Sequence, residues 1–326
     1  MFFLQSLILF PSGNSIKALA FDKGFQYLSQ TAVFDYNGSV TDGMNRLMDQ
    51  LKVKSYDDIA FIAPFNESFV KTLAVNKVEK KYLRQIIINE YEDILQLRDD
   101  NFIWDFDVVD DMGEEKEHII VSGVKRKFVE RWIPQLIMNK MEPTVILPEQ
   151  ISLLNGHFNY SGYSPVIFVD LGRKNSNIII YDKEKDFFQM DVPVGGNDMI
   201  RNIKDICGVE WDEAESILKG EKEVPQGPGR FKVIAPVLDQ IIYEVKRALI
   251  FYENRFKAAV FHQINISGGV SSIPDVAWYM NYELGIRVVK NDYFALVKKS
   301  PDMLSSSLLK DSFGIFSCMV GGMFIS

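Results

Sequence analysis

The apolar residues of this chain switch repeatedly between two spacings, and that switching constrains the fold more than any other feature. Short apolar runs of strand length lie at Leu7–Phe10, Ile16–Phe21, Thr31–Phe34 and Ile59–Ala63, while Met44–Leu51 carries helical spacing. Tyr82, Leu83, Ile86, Ile87, Tyr91, Ile94 and Leu95 recur at intervals of three and four, which predicts a long helix over Val78–Leu97 with one apolar face. Two strands, Phe102–Val109 and His118–Gly123, flank the acidic turn Asp110–Lys116, and Lys127–Met138 is helical again. Such alternation predicts a mixed α/β protein, and the helix–hairpin–helix block, about 70 residues long, is large enough to be an inserted subdomain.

The second half is more sharply punctuated. Strand Val166–Val169 leads into Asp170-Leu171-Gly172-Arg173-Lys174-Asn175-Ser176, then strands Asn177–Tyr181 and Phe187–Val192. Pro193–Asp198 breaks the pattern, and a helix begins over Met199–Ile206. Residues 220–230 are rich in breakers and charge and predict a mobile loop; a long helix over about Ala235–Phe256 follows. Phe261–Ile266 reads as a strand, Ser267-Gly268-Gly269 as a tight turn, and Pro274–Leu284 as a helix with proline in its first turn.

Composition excludes several classes. A chain of 326 residues predicts about two domains, and 47% hydrophobic with 25% charged residues is ordinary for a globular protein. A net charge of -8 offers no general field for phosphate backbones, so nucleic acid is not an expected partner. Cys207 and Cys318 lack C-x-x-C spacing, which suits a reducing compartment, and the three histidines, His118, His157 and His262, are too dispersed to suggest zinc. No apolar stretch has the ~20 residues of a membrane span. The apolar start, Met1–Phe10, lacks a basic leader region and is expected to form a hairpin, not a signal peptide; apolar Phe313–Ile325 is expected to be a buried terminal helix.

Several groups could carry chemistry. A strand ending in Asp-x-Gly before a polar turn can turn backbone N–H groups toward phosphate, with Asn175 and Ser176 as further donors and Asp170 holding the water shell of a magnesium ion. Gly268-Gly269 could let the chain pass against the flat face of a base, and Glu244 with Arg247, one helical turn apart, could reach ribose hydroxyls. Each has a plainer alternative: a simple hairpin turn, an ordinary strand-to-helix turn, and a solvated i,i+3 ion pair.

In order, the segments 169–178 (Val-Asp-Leu-Gly-Arg-Lys-Asn-Ser-Asn-Ile), 192–200 (Val-Pro-Val-Gly-Gly-Asn-Asp-Met-Ile), 212–219 (Asp-Glu-Ala-Glu-Ser-Ile-Leu-Lys), 244–253 (Glu-Val-Lys-Arg-Ala-Leu-Ile-Phe-Tyr-Glu) and 266–274 (Ile-Ser-Gly-Gly-Val-Ser-Ser-Ile-Pro) resemble the actin-like nucleotide-binding superfamily. More closely they resemble its PilM branch of type IV pilus assembly proteins, akin to the cell-division protein FtsA. The resemblance runs through most of 165–326 and more faintly through the first half. It implies an actin-like (ribonuclease H-like) two-lobed α/β fold with ATP between the lobes. The first lobe would span 1–165, with a small α+β insert at about 66–145; the second would span 166–326, with a helical subdomain at about 196–258.

On this resemblance Asp170, Gly172, Asn175 and Ser176 match the second phosphate hairpin, Gly195 and Gly196 the turn beside it, Glu244 and Arg247 the ribose side, and Gly268, Gly269 and Ser271 the adenine side. Asp170 would position Mg2+. In the first phosphate hairpin Ser12, Gly13, Asn14, Ser15 and Lys17 match, but Phe10 stands where relatives carry an acid. Glu149 is the candidate for orienting an attacking water, with a helix-start carboxylate as its alternative.

The resemblance therefore implies a cytoplasmic ATP-binding adaptor with little or no ATPase activity. Its expected partners are the cytoplasmic tail of a PilN-like inner-membrane protein and other pilus platform proteins, with membrane contact only indirect. The alternatives are an active ATPase or kinase of the same fold, an FtsA-like division protein, or a type II secretion component.

Overall fold

The computed structural model describes residues 5–22, 26–35, 39–51, 56–95, 101–111, 115–182, 187–225, 229–256, 261–290, 292–299 and 313–324. The chain divides into two compact units. The first comprises Met1–Gly162, Tyr293–Ser306 and Cys318–Ser326; the second comprises Tyr163–Asp292 and Ser307–Ser317.

The first unit opens with three antiparallel strands, β1 (Gln5–Ser12), β2 (Ser15–Asp22) and β3 (Tyr27–Asp35). Helix α1 (Val40–Gln50), capped by the Ser39 hydroxyl, crosses to β4 (Asp58–Ala63), which pairs parallel with β1. The chain then makes β5 (Ser68–Asn76), α2 (Lys80–Leu95), β6 (Phe102–Asp111), β7 (Lys116–Lys125) and α3 (Arg126–Met138). Strand β8 (Val145–Pro148) joins β4 in parallel and runs into α4 (Glu149–Tyr160). The main sheet thus has the order β3-β2-β1-β4-β8, and β1 is buried on both faces through Leu7, Ile8 and Leu9.

Strands β5, β7 and β6 form a separate antiparallel sheet, on which α2 lays Leu83 and Ile87 against Leu73, Val75, Ile119 and Val121. The apolar pattern of the sequence does not predict β5. Its signal is a short alternation, with Leu73 and Val75 buried between exposed Ala74 and Asn76, interrupted by polar Lys71 and Thr72. Helix α3 faces the core of the main sheet, where Phe128 stacks on Phe61 at 5.4 Å and Trp132 lies 5.8 Å from the same ring. Trp132→Ala is expected to lower unfolding free energy by about 3–5 kcal/mol. Ile137→Ala, on the exposed side of α3, should change it by less than about 0.5 kcal/mol, as read from denaturant midpoints.

The second unit repeats the scheme. Strands β9 (Val166–Leu171), β10 (Ser176–Tyr181) and β11 (Phe187–Val192) are antiparallel. Helices α5 (Gly196–Cys207), α6 (Trp211–Lys219) and α7 (Arg230–Phe256) cross to β12 (Ile264–Ser267), parallel to β9. Helix α8 (Val276–Leu284) leads to β13 (Val288–Lys290), giving the order β11-β10-β9-β12-β13. The long helix starts five residues before the expected Ala235, because Val233 and Ile234 are buried and offset the cost of Pro236 inside the helix. Pro274 lies before α8, not in its first turn.

Two short returns complete the fold: β14 (Lys298–Lys299) extends the first unit's sheet beside β3, and α9 (Phe313–Val320) ends in a 3-10 turn at Gly321–Met323. The expected terminal helix therefore stops at Val320, with Ile325 outside the described residues. Met1–Leu4 of the expected opening hairpin, and residues 226–228 of the expected loop, also lie outside them.

Candidate functional site

In the second unit the continuous apolar run of β9 fixes where its last polar residue falls. Val166–Val169 are fully buried, and Asp170 emerges half-buried at the strand end. Its register partner on β12 is Ser267, whose hydroxyl donates to Asp170 Oδ1 at 2.9 Å. The next residue, Gly268, has φ +83, and a Cβ there would run into the Leu171 carbonyl and lie 2.9 Å from Asp170 Oδ1. Glycine at this position lets the end of β12 fold back onto the Asp-Leu-Gly segment and holds the carboxylate in one place.

The β9–β10 turn, residues 172–175, is seated on the start of α5. The amide of Gly196 donates to Gly172 O at 3.0 Å and that of Asn197 to Arg173 O at 2.7 Å. A Cβ on Gly195 would lie 2.7 Å from Gly172 O, so the two turns approach this closely only with glycine there. Arg173, Lys174 and Asn175 are exposed, and their own N–H groups find no acceptor among the described residues. A turn of exposed amides beside a fixed carboxylate is an arrangement that suits phosphate oxygens with a magnesium ion.

The structure thus brings Asp170, Gly172, Asn175, Gly195, Gly196, Gly268 and Gly269 into one neighbourhood of the second unit, with open space where a Gly269 side chain would stand. Ser176 and Ser271 belong to it in another capacity than the expected phosphate and base contacts. Both are fully buried, and their hydroxyls donate to Val194 O at 2.8 Å and Gly268 O at 2.7 Å, tying the turns together. Glu244 and Arg247 pair with each other at 2.8–3.0 Å. Arg247 lines a depression with Phe188, Gln189 and Met190 of β11, and no residue of the Asp170 neighbourhood is among its lining.

In the first unit Gly13 and Asn14 form the exposed tip of the β1–β2 hairpin, and Ser15 Oγ donates to Ser12 O at 3.0 Å. Phe10 and Lys17 are cross-strand partners, with the ammonium 4.9 Å from the ring centroid. The residue in the acid's place is thus a ring, 2% exposed, that attracts the lysine by cation–π interaction. Glu149, 4% exposed, starts α4 and accepts the Phe65 N–H at Oε2, 3.3 Å away. That is the helix-start carboxylate, placed favourably at the positive end of the helix and pinning it to the Phe65–Glu67 turn.

Three residues at the second-unit site were not expected from sequence. Arg173 donates through both terminal guanidinium nitrogens to Glu215 on α6, at 3.2 and 2.9 Å, and through Nε to Asn197 Oδ1 at 3.1 Å. Burial raises the Glu215 carboxyl, but hydrogen bonds and charge from Lys219 and Arg173 outweigh it and hold the group below the usual carboxylate range. The charges of Arg173 and Lys174 are visible in sequence, yet nothing local marks a partner 42 residues downstream.

Among the described residues no cluster of three His, Cys, Asp or Glu side chains could hold a metal. Asp170 offers a single carboxylate, which fits Mg2+ bound mainly through water and phosphate oxygens. No helix among the described residues is long and apolar enough to cross a membrane.

Comparison with known proteins bears on the fold and the family. Several solved structures share the fold. One described as a PilM-PilN type IV pilus biogenesis complex superposes with a TM-score of 0.79 at 14% identity, covering 98% of this chain and 97% of its own. The ethanolamine utilization protein EutJ from Carboxydothermus hydrogenoformans gives 0.57 at 11% identity, covering 99% and 90%. MreB 5 of Spiroplasma citri bound to AMPPNP gives 0.51 at 9% identity, covering 98% and 94%. A search of curated proteins finds no match. The fold is therefore actin-like. The family model for type IV pilus assembly protein PilM matches residues 38–319, most of the chain, and the protein accordingly belongs to that family.

Proposed function

We propose that this chain is a cytoplasmic ATP-binding adaptor of type IV pilus assembly that docks the cytoplasmic tail of a PilN-like inner-membrane protein. The observation that carries the nucleotide part is the second-unit neighbourhood: a half-buried Asp170 fixed by Ser267, an exposed amide turn, and open space at Gly269. Bound there with Mg2+, ATP would supply a polyanion and a flat base. The amides of Arg173, Lys174 and Asn175 would hold phosphate oxygens, Asp170 would orient the water shell of the ion, and the open side of Gly269 would admit the base. The tail-docking part is supported by family membership and by the solved relative, a complex of PilM with PilN.

Slow turnover follows from two side chains of the first unit. Phe10 supplies no carboxylate, and the Glu149 carboxylate is already engaged by the Phe65 amide. A fluorescent peptide of a PilN-like cytoplasmic tail, titrated with the full chain and ATP-Mg2+ while phosphate release is followed, tests the reading. Saturable binding with release far below ~1 per second is expected. Release at that ordinary enzyme rate would make the chain an active ATPase, and absence of tail binding would remove the adaptor role.

A further inference from the structure

The turn that is read as the phosphate cradle carries a cation already committed elsewhere. Arg173 lies inside the β9–β10 turn, with its carbonyl fixed by the Asn197 amide, yet its guanidinium reaches across to α6 and is held by Glu215 and Asn197. Two features make that hold exchangeable. The Arg173 side chain is 60% exposed, so no packing traps it. Glu215, only 22% exposed, is also paired with Lys219 at 3.0 Å, so release of Arg173 would leave no unpaired carboxylate in a partly buried place. A pair that keeps a second cation in reserve costs less to break than an isolated one.

We propose that Arg173 is a phosphate-binding arm that Glu215 holds in reserve: a polyphosphate at the amide turn competes with Glu215 for the guanidinium, and its binding releases the turn from α6. An arginine fork suits either a carboxylate or a phosphate, and a dianionic terminal phosphate offers it more charge than one carboxylate does. The ligand class is therefore a nucleoside polyphosphate, and the nucleoside alone gains nothing from the arm. The release also gives nucleotide occupancy a physical route to the α5–α6 pair, since Asn197 opens α5 and Glu215 sits in α6. This rests on the nucleotide reading above.

Calorimetric titration of the full chain with ATP-Mg2+ and, separately, with adenosine tests it. Arg173→Ala should weaken ATP by about tenfold, the size expected for loss of a charge-assisted contact, and leave adenosine unchanged. Glu215→Gln should strengthen ATP by about threefold or more, because the restraining charge is removed. The double variant should match Arg173→Ala, since without the arm nothing remains for Glu215 to restrain. Glu215→Gln leaving ATP affinity unchanged or weaker, or Arg173→Ala weakening adenosine as much as ATP, would show a purely structural clamp and overturn the proposal. If the unmodified chain binds neither ligand, the nucleotide reading itself fails.

Discussion

Gly268→Ala is expected to abolish ATP binding and to lower unfolding free energy by about 2–4 kcal/mol. At φ +83 an L-residue costs about 1–2 kcal/mol in backbone strain alone. Its Cβ would also collide with the Leu171 carbonyl and crowd Asp170 Oδ1, so β12 must withdraw from β9 at the point where Ser267 holds the carboxylate. Fold and site fail together there. Its neighbour separates them: a Cβ at Gly269 meets nothing within 4 Å, so Gly269→Val should keep near-native stability while losing ATP affinity. Chemical denaturation and calorimetric titration of both variants check the pair. Gly268→Ala binding ATP as the unmodified chain does would show that the close approach of β12 to β9 is unimportant to the site.

The largest effect on folding is expected in the first unit. Gly321 lies against α4 so closely that any Cβ would occupy the place of the Ser152 carbonyl and crowd the Gly156 amide. The same contact is fastened by the Ser152 hydroxyl donating to Cys318 O and by Asn155 Nδ2 donating to Phe324 O at 3.2 Å. Nothing there can yield, because the obstacle is the backbone of a buried helix. Gly321→Val should therefore cost about 4 kcal/mol or more, enough to unfold a marginally stable domain. Far-UV circular dichroism during a urea titration would show the midpoint collapse, whereas a midpoint within experimental error of the unmodified chain would contradict the packing of the terminal segment on α4.

Sequence pattern carried most of the architecture because the strands that matter are fully buried and read as continuous apolar runs. Val166–Val169, Ile178–Ile180 and Leu7–Leu9 are of this kind, and all lie in strands. The alternation of β5 is broken because Val70 is buried on the face opposite Leu73 and Val75, with polar Lys71 and Thr72 between them. At the site, glycine spacing marked Gly195 and Gly268 because close backbone approach leaves no alternative residue. Side-chain roles were less legible. On the resemblance Ser176 matches the phosphate hairpin and Ser271 the adenine side, but burial turns both hydroxyls onto carbonyls of the adjoining turns. Glu244 and Arg247 show only the local spacing of an ion pair, which the structure contains. The Arg173–Glu215 contact depends on α6 folding back beside the β9–β10 turn, and no local pattern encodes such a meeting.

Nucleotide binding at the Asp170 neighbourhood is tested most directly by equilibrium dialysis of ATP-Mg2+ against this chain, followed by recovery and identification of the bound nucleotide. Retention of nucleotide in stoichiometric amount is the predicted result, and Asp170→Ala should lose it. Recovery of no nucleotide from the unmodified chain would contradict it.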